Sequence, residues 1–245
     1  MEQLKDVLVQ TTPSPTLTSK KFQRVEDPTW RREQAELILK ARSDTEGILL
    51  RAGFERALVF KTSRDVMTAD SFTSERRQEV LDLSLSILSP QKRTKRGICL
   101  VGPVGRGKTL MATLLARRFV RKGYDEQWLA MCRVPCLISR ARDQYSLGFS
   151  ERETVEDMLE VYTEKCFLVI DDLGVRRGEA TPFEQGLLYR LIDERYLTRE
   201  RTFTVITTNR TLADIDRDID ERVRSRIMGM CHVIHLDGPD WRTEN

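Results

Sequence analysis

The sequence lacks any run approaching about 18 uncharged apolar residues, so no transmembrane helix and no membrane partner are expected. Its first residues, MEQLKDVLVQTTPSP, lack the apolar core of a secretory signal, and the chain reads as cytoplasmic. Histidine is scarce: His232 and His235 sit late, in an apolar run. The five cysteines, Cys99, Cys132, Cys136, Cys166 and Cys231, are an odd number without a secretion signal, which argues against a disulfide framework. Cys132 and Cys136 are spaced C-x-x-x-C, but no second pair or histidine cluster stands beside them. Buried, reduced cysteines therefore fit better than a zinc site. No internal repeat is visible. Charge of one sign is also missing: the net charge is only +3, made of +4 up to residue 96 and −1 beyond it. The basic side chains are mostly arginine, whose fork suits phosphate and carboxylate but also simply solvates helix faces.

What is present is enough apolar material for a core. With 245 residues, 40% of them hydrophobic, wholesale disorder is excluded. One domain of about 150–200 residues with a small appended unit fits the length. Residues 1–28, with Pro13, Pro15 and Pro28 and a Thr/Ser cluster, read as a tail. Ala35, Leu37, Ile38 and Ala41 recur at helical spacing within 29–52, with a break near Ser43–Asp44 and Gly53 as the stop. Residues 54–72 read as irregular. A helix capped by Thr73 or Ser74 runs to Pro90, and a basic loop, QKRTKR, follows at 91–96.

From residue 97 the rhythm changes. Short apolar runs at 97–101, 128–134, 166–170, 202–207 and 232–236 suit strands buried on both faces. Helical stretches lie between them, near 109–122, 135–146, 151–162, 182–197 and 211–227. Such alternation implies an α/β fold around a parallel sheet.

Strand GICLV leads into Gly102-Pro103-Val104-Gly105-Arg106-Gly107-Lys108-Thr109, then a helix starting at Leu110. This is G-x-x-x-x-G-K-[ST] in its required strand–loop–helix context. Glycines let main-chain N–H groups curl around phosphates at the positive end of a helix dipole. Lys108 then reaches the β- and γ-phosphates, and Thr109 ligands Mg²⁺. A chance glycine-rich turn would need both flanks to be coincidental. ATP and Mg²⁺ are the expected cofactors.

CFLVIDD puts Asp171 and Asp172 at the carboxyl end of a buried strand, where open α/β sheets bind ligands. Asp171 fits the Mg²⁺-side carboxylate and Asp172 the residue acting on the attacking water. The bland alternative is an acidic turn. TFTVITTNR ends another strand in Thr207, Thr208 and Asn209, a polar tip that either senses the γ-phosphate or caps the next helix. In DIDERVRSRIMG, Arg222 and Arg226 share a helix face and Arg224 lies off it. They either reach a neighbouring subunit's phosphate or form a solvated face paired with Asp218, Asp220 and Glu221.

Together GPVGRGKT, LVIDDLG, ITTNR and ERVRSRI resemble the AAA+ ATPases, and more narrowly the DnaC/DnaI/IstB-like branch, over about residues 97–242. The segment LLRAGFERALVF also resembles what precedes the ATPase core in that branch. The resemblance implies a five-stranded parallel sheet in order 5-1-4-3-2, flanked by helices, with no C-terminal lid domain and a small helical N-terminal extension. It implies division into an extension at 1–70 that binds a partner and an ATPase domain at 71–245. It makes Asn209 a sensor-1 residue, Arg226 the arginine finger and Arg222 its accessory. Val104 and Arg106 depart from the usual loop residues, both at x positions. Asp172 stands where many relatives have Glu.

Members of this branch load replicative helicases or regulate a transposase on DNA. The expected function is accordingly an ATPase that assembles head-to-tail on single-stranded DNA and loads or remodels a replicative helicase. The alternatives are a transposition helper, a nucleotide-gated adaptor and a small-molecule kinase. Related initiators use an extra helix after the second strand for single-stranded DNA. Here that region offers Arg140, Arg142, Tyr145 and Phe149, and a second basic loop holds Arg176 and Arg177. Arg140 could equally be solvated, and Tyr145 and Phe149 could be core.

Overall fold

The computed structural model describes residues 28–61, 97–144, 153–174 and 178–237. The tail at 1–27, the helix expected at 73–89, the basic loop at 91–96, Tyr145, Phe149, Arg176, Arg177 and the stretch from 238 lie outside the described residues. The helices are α1 (Pro28–Ser43), α2 (Thr45–Arg51), α3 (Arg56–Val59), α4 (Lys108–Val120), α5 (Val134–Asp143), α6 (Val155–Thr163), α7 (Pro182–Leu197), α8 (Leu212–Asp218) and α9 (Glu221–Met230). The strands are β1 (Gly97–Val101), β2 (Leu129–Arg133), β3 (Phe167–Leu173), β4 (Phe203–Thr208) and β5 (Cys231–His235).

All five strands pair in parallel in the order β2-β3-β4-β1-β5, the expected order read from the other edge. Strands β1 and β4 are buried along their whole length, which explains why they read as unbroken apolar runs. Phe167, Val169, Val205 and Ile98 look into one core with α2, α3 and α4. Leu168, Ile170, Ile206 and Cys99 look into the other, with α5 to α9.

Local signals set most helix ends. Thr154, Thr181 and Thr211 each cap a helix reciprocally with Asp157, Glu184 and Asp214, the S/T-x-x-D/E pattern. Four expectations are corrected. The stretch 211–227 is two helices, because Asp220 leaves helical geometry and accepts the Arg222 N–H, starting α9. Within 54–72, read as irregular, the short helix α3 forms. Leu37, expected on the buried face of α1, is exposed beside buried Ala35, Ile38 and Ala41. Cys136 is exposed too, whereas the other four cysteines are buried, and all five are free thiols. Burial pushes Cys99 and Cys132 up to about 12 and Cys166 to about 11.

Residues 28–61, the described part of the N-terminal 1–70, are packed against the parallel sheet. Ile48, Leu49, Phe54 and Val59 share a core with Leu115, Phe119 and Phe167. Met131 N–H donates to the Ala52 carbonyl, and Arg117 bridges Glu46 and the Val59 carbonyl. These helices and the sheet form one packed unit.

Arg195 on α7 is fully buried, yet its hydrogen-bond partners are all neutral: the Thr204 hydroxyl and the carbonyls of Thr163, Lys165 and Phe203. Burial lowers its pKa to about 10, so it remains charged at neutral pH. The guanidinium ties α7 to β4 and to the entry of β3. Arg195→Met keeps the apolar stem but strands buried carbonyls, each costing about 1–3 kcal/mol. Relief of one buried charge offsets only part of that. The expected loss is about 3 kcal/mol, a fall in Tm of roughly 6–12 °C for a chain of this size. Thermal unfolding that matches the parent protein would show the carbonyls find other donors.

Candidate functional site

The turn after β1 is shaped by main-chain contacts. Gly102 N–H donates to the Thr208 carbonyl, which brings the loop against the end of β4. A Cβ on Gly102 would stand 2.2 Å from the Leu236 carbonyl oxygen, so no side chain fits. Gly107 adopts φ 72°, a left-handed conformation that glycine takes at little cost, and it opens α4. Helix α4 carries no side-chain cap and no acidic residue in its first turn, unlike α6, α7 and α8 with their capping boxes. Its first N–H groups therefore remain available to an anion.

Lys108 is the first residue of α4 and is buried. Its Nζ lies 2.7 Å from the Gly102 carbonyl and 2.6 Å from that of Pro103. The ammonium thus closes the loop across the positions that phosphate oxygens would take. Val104 is exposed, Leu110 is buried, and Gly105 is left-handed at φ 81°. Arg106 is partly buried, and its Nε and Nη1 have no hydrogen-bond partner among the described residues.

Thr109, on the next position, donates its hydroxyl to Asp171 Oδ1 at 3.0 Å. Thr207, from β4, donates to the same oxygen at 2.7 Å. Asp171 is buried, and burial raises its pKa above the usual carboxylate range. Bonds from Thr207 and Thr109 oppose that, while the charge of Asp172 adds to it. A buried carboxylate with one oxygen taken by two hydroxyls leaves the other for a cation. The Thr109 hydroxyl beside it is a second hard oxygen of the kind that Mg²⁺ takes.

Asp172 departs from strand geometry. Among the described residues it is the only non-glycine with positive φ, at 60°. Here β3 carries an extra residue: Ile170 pairs with Ile206, but Leu173 pairs with Thr208. This bulge re-aims the side chains beyond it. Asp172 N–H donates to the Thr207 hydroxyl at 3.0 Å, so one threonine serves both acids. The left-handed φ also bears on residue type. Asp and Asn tolerate that region, whereas longer side chains seldom do, which fits an Asp at this position.

The polar tip of β4 divides its work. Thr207 holds Asp171, Thr208 donates to the Leu173 carbonyl, and Asn209 is exposed at the strand end. The roles of Thr207 and Thr208 were not separable in sequence, because a strand tip does not announce which neighbour it bonds.

Two arginines of α9, Arg222 and Arg226, lie along α7. Arg222 pairs with Asp220 and stacks on Tyr189 at 4.3 Å. Arg226 pairs with Asp193 at 2.6 Å and lies over Tyr196 at 4.8 Å. Arg224 pairs with Asp216. Of the three acids expected as partners, only Asp220 serves this face. Asp218 instead holds Arg210 and Arg217. Arg140 pairs with Glu153, and Arg142 with the buried Glu184 at the start of α7. Both arginine side chains remain about half exposed. Among the described residues no group of three or more His, Cys, Asp or Glu is gathered for a metal, and no helix is long and apolar enough to cross a membrane.

A phosphate loop, an acidic strand end, a polar strand tip and this strand order define a P-loop ATPase of the AAA+ class. The sequence matches the family described as IstB-like ATP binding protein over residues 56–245, and the chain belongs to that family. It shares its fold with a putative primosome component from Streptococcus pyogenes serotype M3. That match has a TM-score of 0.57 and 18% identity, covering 79% of this chain and 96% of the other. It is also similar to the DnaC helicase loader, at TM-score 0.53 and 20% identity over 69% of this chain and 94% of that one. The replication initiator DnaA bound to AMPPCP and single-stranded DNA gives 0.54 and 16%, over 73% and 50%. No curated relative matches the sequence.

Proposed function

We propose that the protein is a Mg²⁺-dependent ATPase of the cytoplasm that assembles head-to-tail on single-stranded DNA and loads or remodels a replicative helicase. The observation carrying the catalytic part is the convergence of Thr109 and Thr207 on one oxygen of Asp171, beside Lys108. In this reading Gly102 to Leu110 cradle the phosphates, and Thr109 and Asp171 hold Mg²⁺, which supplies charge neutralisation at the β- and γ-phosphates. Asp172 acts on the attacking water, and Asn209 orients it. Arg226, assisted by Arg222, reaches the γ-phosphate of the neighbouring subunit. The fold likeness to the DnaC helicase loader supports the helicase reading. Membership of the IstB-like family keeps a second reading in view, a helper ATPase acting on a transposase. Residues 1–70 are the partner-binding extension in either case, so capture of a helicase or of a transposase by the full chain decides between them.

For DNA, the half-exposed Arg140 and Arg142 on α5 supply backbone contacts, joined by Tyr145, Arg176 and Arg177. Arg140 exchanges Glu153 for a phosphate in a near-even trade for a partly exposed pair, whereas releasing Arg142 leaves the buried Glu184 carboxylate without that partner and costs more. Single-stranded DNA is therefore expected to raise the ATPase rate, and Arg140→Ala with Arg142→Ala to remove that stimulation. The test of Asp172 is the asparagine variant. Asn also tolerates φ 60°, so Asp172→Asn preserves the backbone while removing the base. Hydrolysis is expected to fall by about 10²-fold or more, with ATP affinity nearly unchanged, because the carboxylate acts only in the reaction. Equal loss of binding and turnover would assign Asp172 to metal or structure instead.

A further inference from the structure

Arg210 follows Asn209 directly, and nothing in the phosphate loop or the acid pair predicts a use for it. Its side chain is largely buried, 19% exposed. Nε donates to the Gly174 carbonyl at 2.8 Å and Nη1 to Asp218 Oδ2 at 2.6 Å. Its own N–H donates to the Thr208 hydroxyl, which in turn donates to the Leu173 carbonyl at 2.7 Å. The end of β4 thus grips two consecutive carbonyls, those of Leu173 and Gly174, immediately after Asp172. The far anchor is fixed as well. Asp218 is buried, its Oδ1 takes Arg217 Nε, and its carbonyl accepts from Ala180 N–H on the returning loop. Gly174, at φ 75°, lets the chain pass close: a Cβ there would sit 3.0 Å from Arg210 Cγ. Arg210, Asp172 and Asp218 line one cavity of about 260 Å³.

We propose that Arg210 is a positioning residue for hydrolysis: by holding the Gly174 carbonyl against Asp218 it keeps Asp172 in the left-handed turn that aims its carboxylate. The proposal rests on the hydrolytic role given to Asp172 above. A left-handed Asp is held at a cost of order 1–2 kcal/mol and persists only where its surroundings over-determine it. On its N-terminal side Asp172 is fixed by the bond of its N–H to Thr207. On its C-terminal side the hold comes through Leu173, whose carbonyl Thr208 takes, and through Gly174, whose carbonyl the Arg210 side chain takes. Two bonds in fixed directions suit a guanidinium fork, which an ammonium cannot reproduce. With the clamp gone, the turn is free to relax toward negative φ and carry the carboxylate off its line.

The test compares Arg210→Ala, Arg210→Lys, Asp172→Asn and the Arg210→Ala/Asp172→Asn double variant by nucleotide titration, thermal unfolding and single-turnover ATP hydrolysis. Arg210→Ala is expected to bind ATP within about twofold of the parent protein and to hydrolyse it about 10- to 100-fold more slowly, as misplacement of a reacting group does. Arg210→Lys should lie nearer to Arg210→Ala than to the parent. The double variant should be no slower than Asp172→Asn alone, since a clamp has nothing left to aim. A purely structural residue would instead lower affinity and rate together, and would slow the Asp172→Asn protein further; either result overturns the clamp. Should Arg210→Ala fail to fold, Asp218→Asn removes the anchor while leaving Arg210, and the same separation of rate from affinity is expected. Parental turnover in Arg210→Ala with slow Asp172→Asn overturns the clamp alone. Parental turnover in Asp172→Asn overturns the hydrolytic reading on which it rests.

Discussion

Lys108→Ala is expected to lose ATP affinity by about a hundredfold or more. The lysine is buried at the start of α4, and its ammonium bonds two loop carbonyls at 2.6–2.7 Å. In the proposed reading the phosphate oxygens of a bound nucleotide replace those carbonyls as acceptors. Hydrogen bonds to charged groups contribute about 1.5–3 kcal/mol each. Losing two of them corresponds to roughly two to four orders of magnitude in affinity. The N–H groups of Thr109 and Leu110 remain, so residual binding survives. Folding should survive too, because alanine is a strong helix former at the first position of α4. Nucleotide titration measures the effect directly. A second signature is the loss of the rise in Tm that saturating ATP gives, which scales with ligand concentration over Kd. Undiminished affinity in this variant would sink the phosphate-loop assignment.

How much of this was legible in the sequence depends on distance along the chain. The phosphate loop and the buried strands are local patterns, and each appears where its residues place it. The break between α8 and α9 was also local, since Asp218-Ile219-Asp220 offers a capping acid, but a continuous apolar rhythm through Ile215, Val223 and Ile227 hid it. The rest depends on contacts that the sequence does not index. Thr207 bonds Asp171 from another strand, Arg226 takes Asp193 from another helix, and Arg195 finds carbonyls on two segments. The left-handed turn at Asp172 follows from a bulge in pairing with β4, which only the register reveals. The packing of residues 28–61 into the ATPase core was similarly hidden, because an amphipathic helix shows that it is covered and not by what.

Arg226→Ala is expected to abolish hydrolysis in assemblies, by about 10³-fold or more, while sparing ATP binding. Within one chain Arg226 is held by Asp193 and lies against Tyr196, on the α7–α9 side of the sheet. Helix α4, proposed to bind the phosphates, lies on the opposite side. A finger on that face serves a neighbour's nucleotide more readily than its own. Release from Asp193 costs little, since a partly exposed ion pair is worth about 0–1 kcal/mol and the ring contact about as much again. Head-to-tail contacts of this kind are heterologous and close into rings or run on as spirals. The ATPase rate per subunit should then rise with protein concentration, and Asp193→Asn, which frees the arginine, should not lower it. Mixing is the decisive measurement. Lys108→Ala subunits bring an intact Arg226, and Arg226→Ala subunits bring an intact nucleotide site. In an equal mixture roughly a quarter of such interfaces join the two intact halves, so activity reappears from two inactive proteins. An arginine acting within its own chain predicts none. Mixtures as inactive as either variant, under conditions where the parent protein assembles, would end the trans assignment.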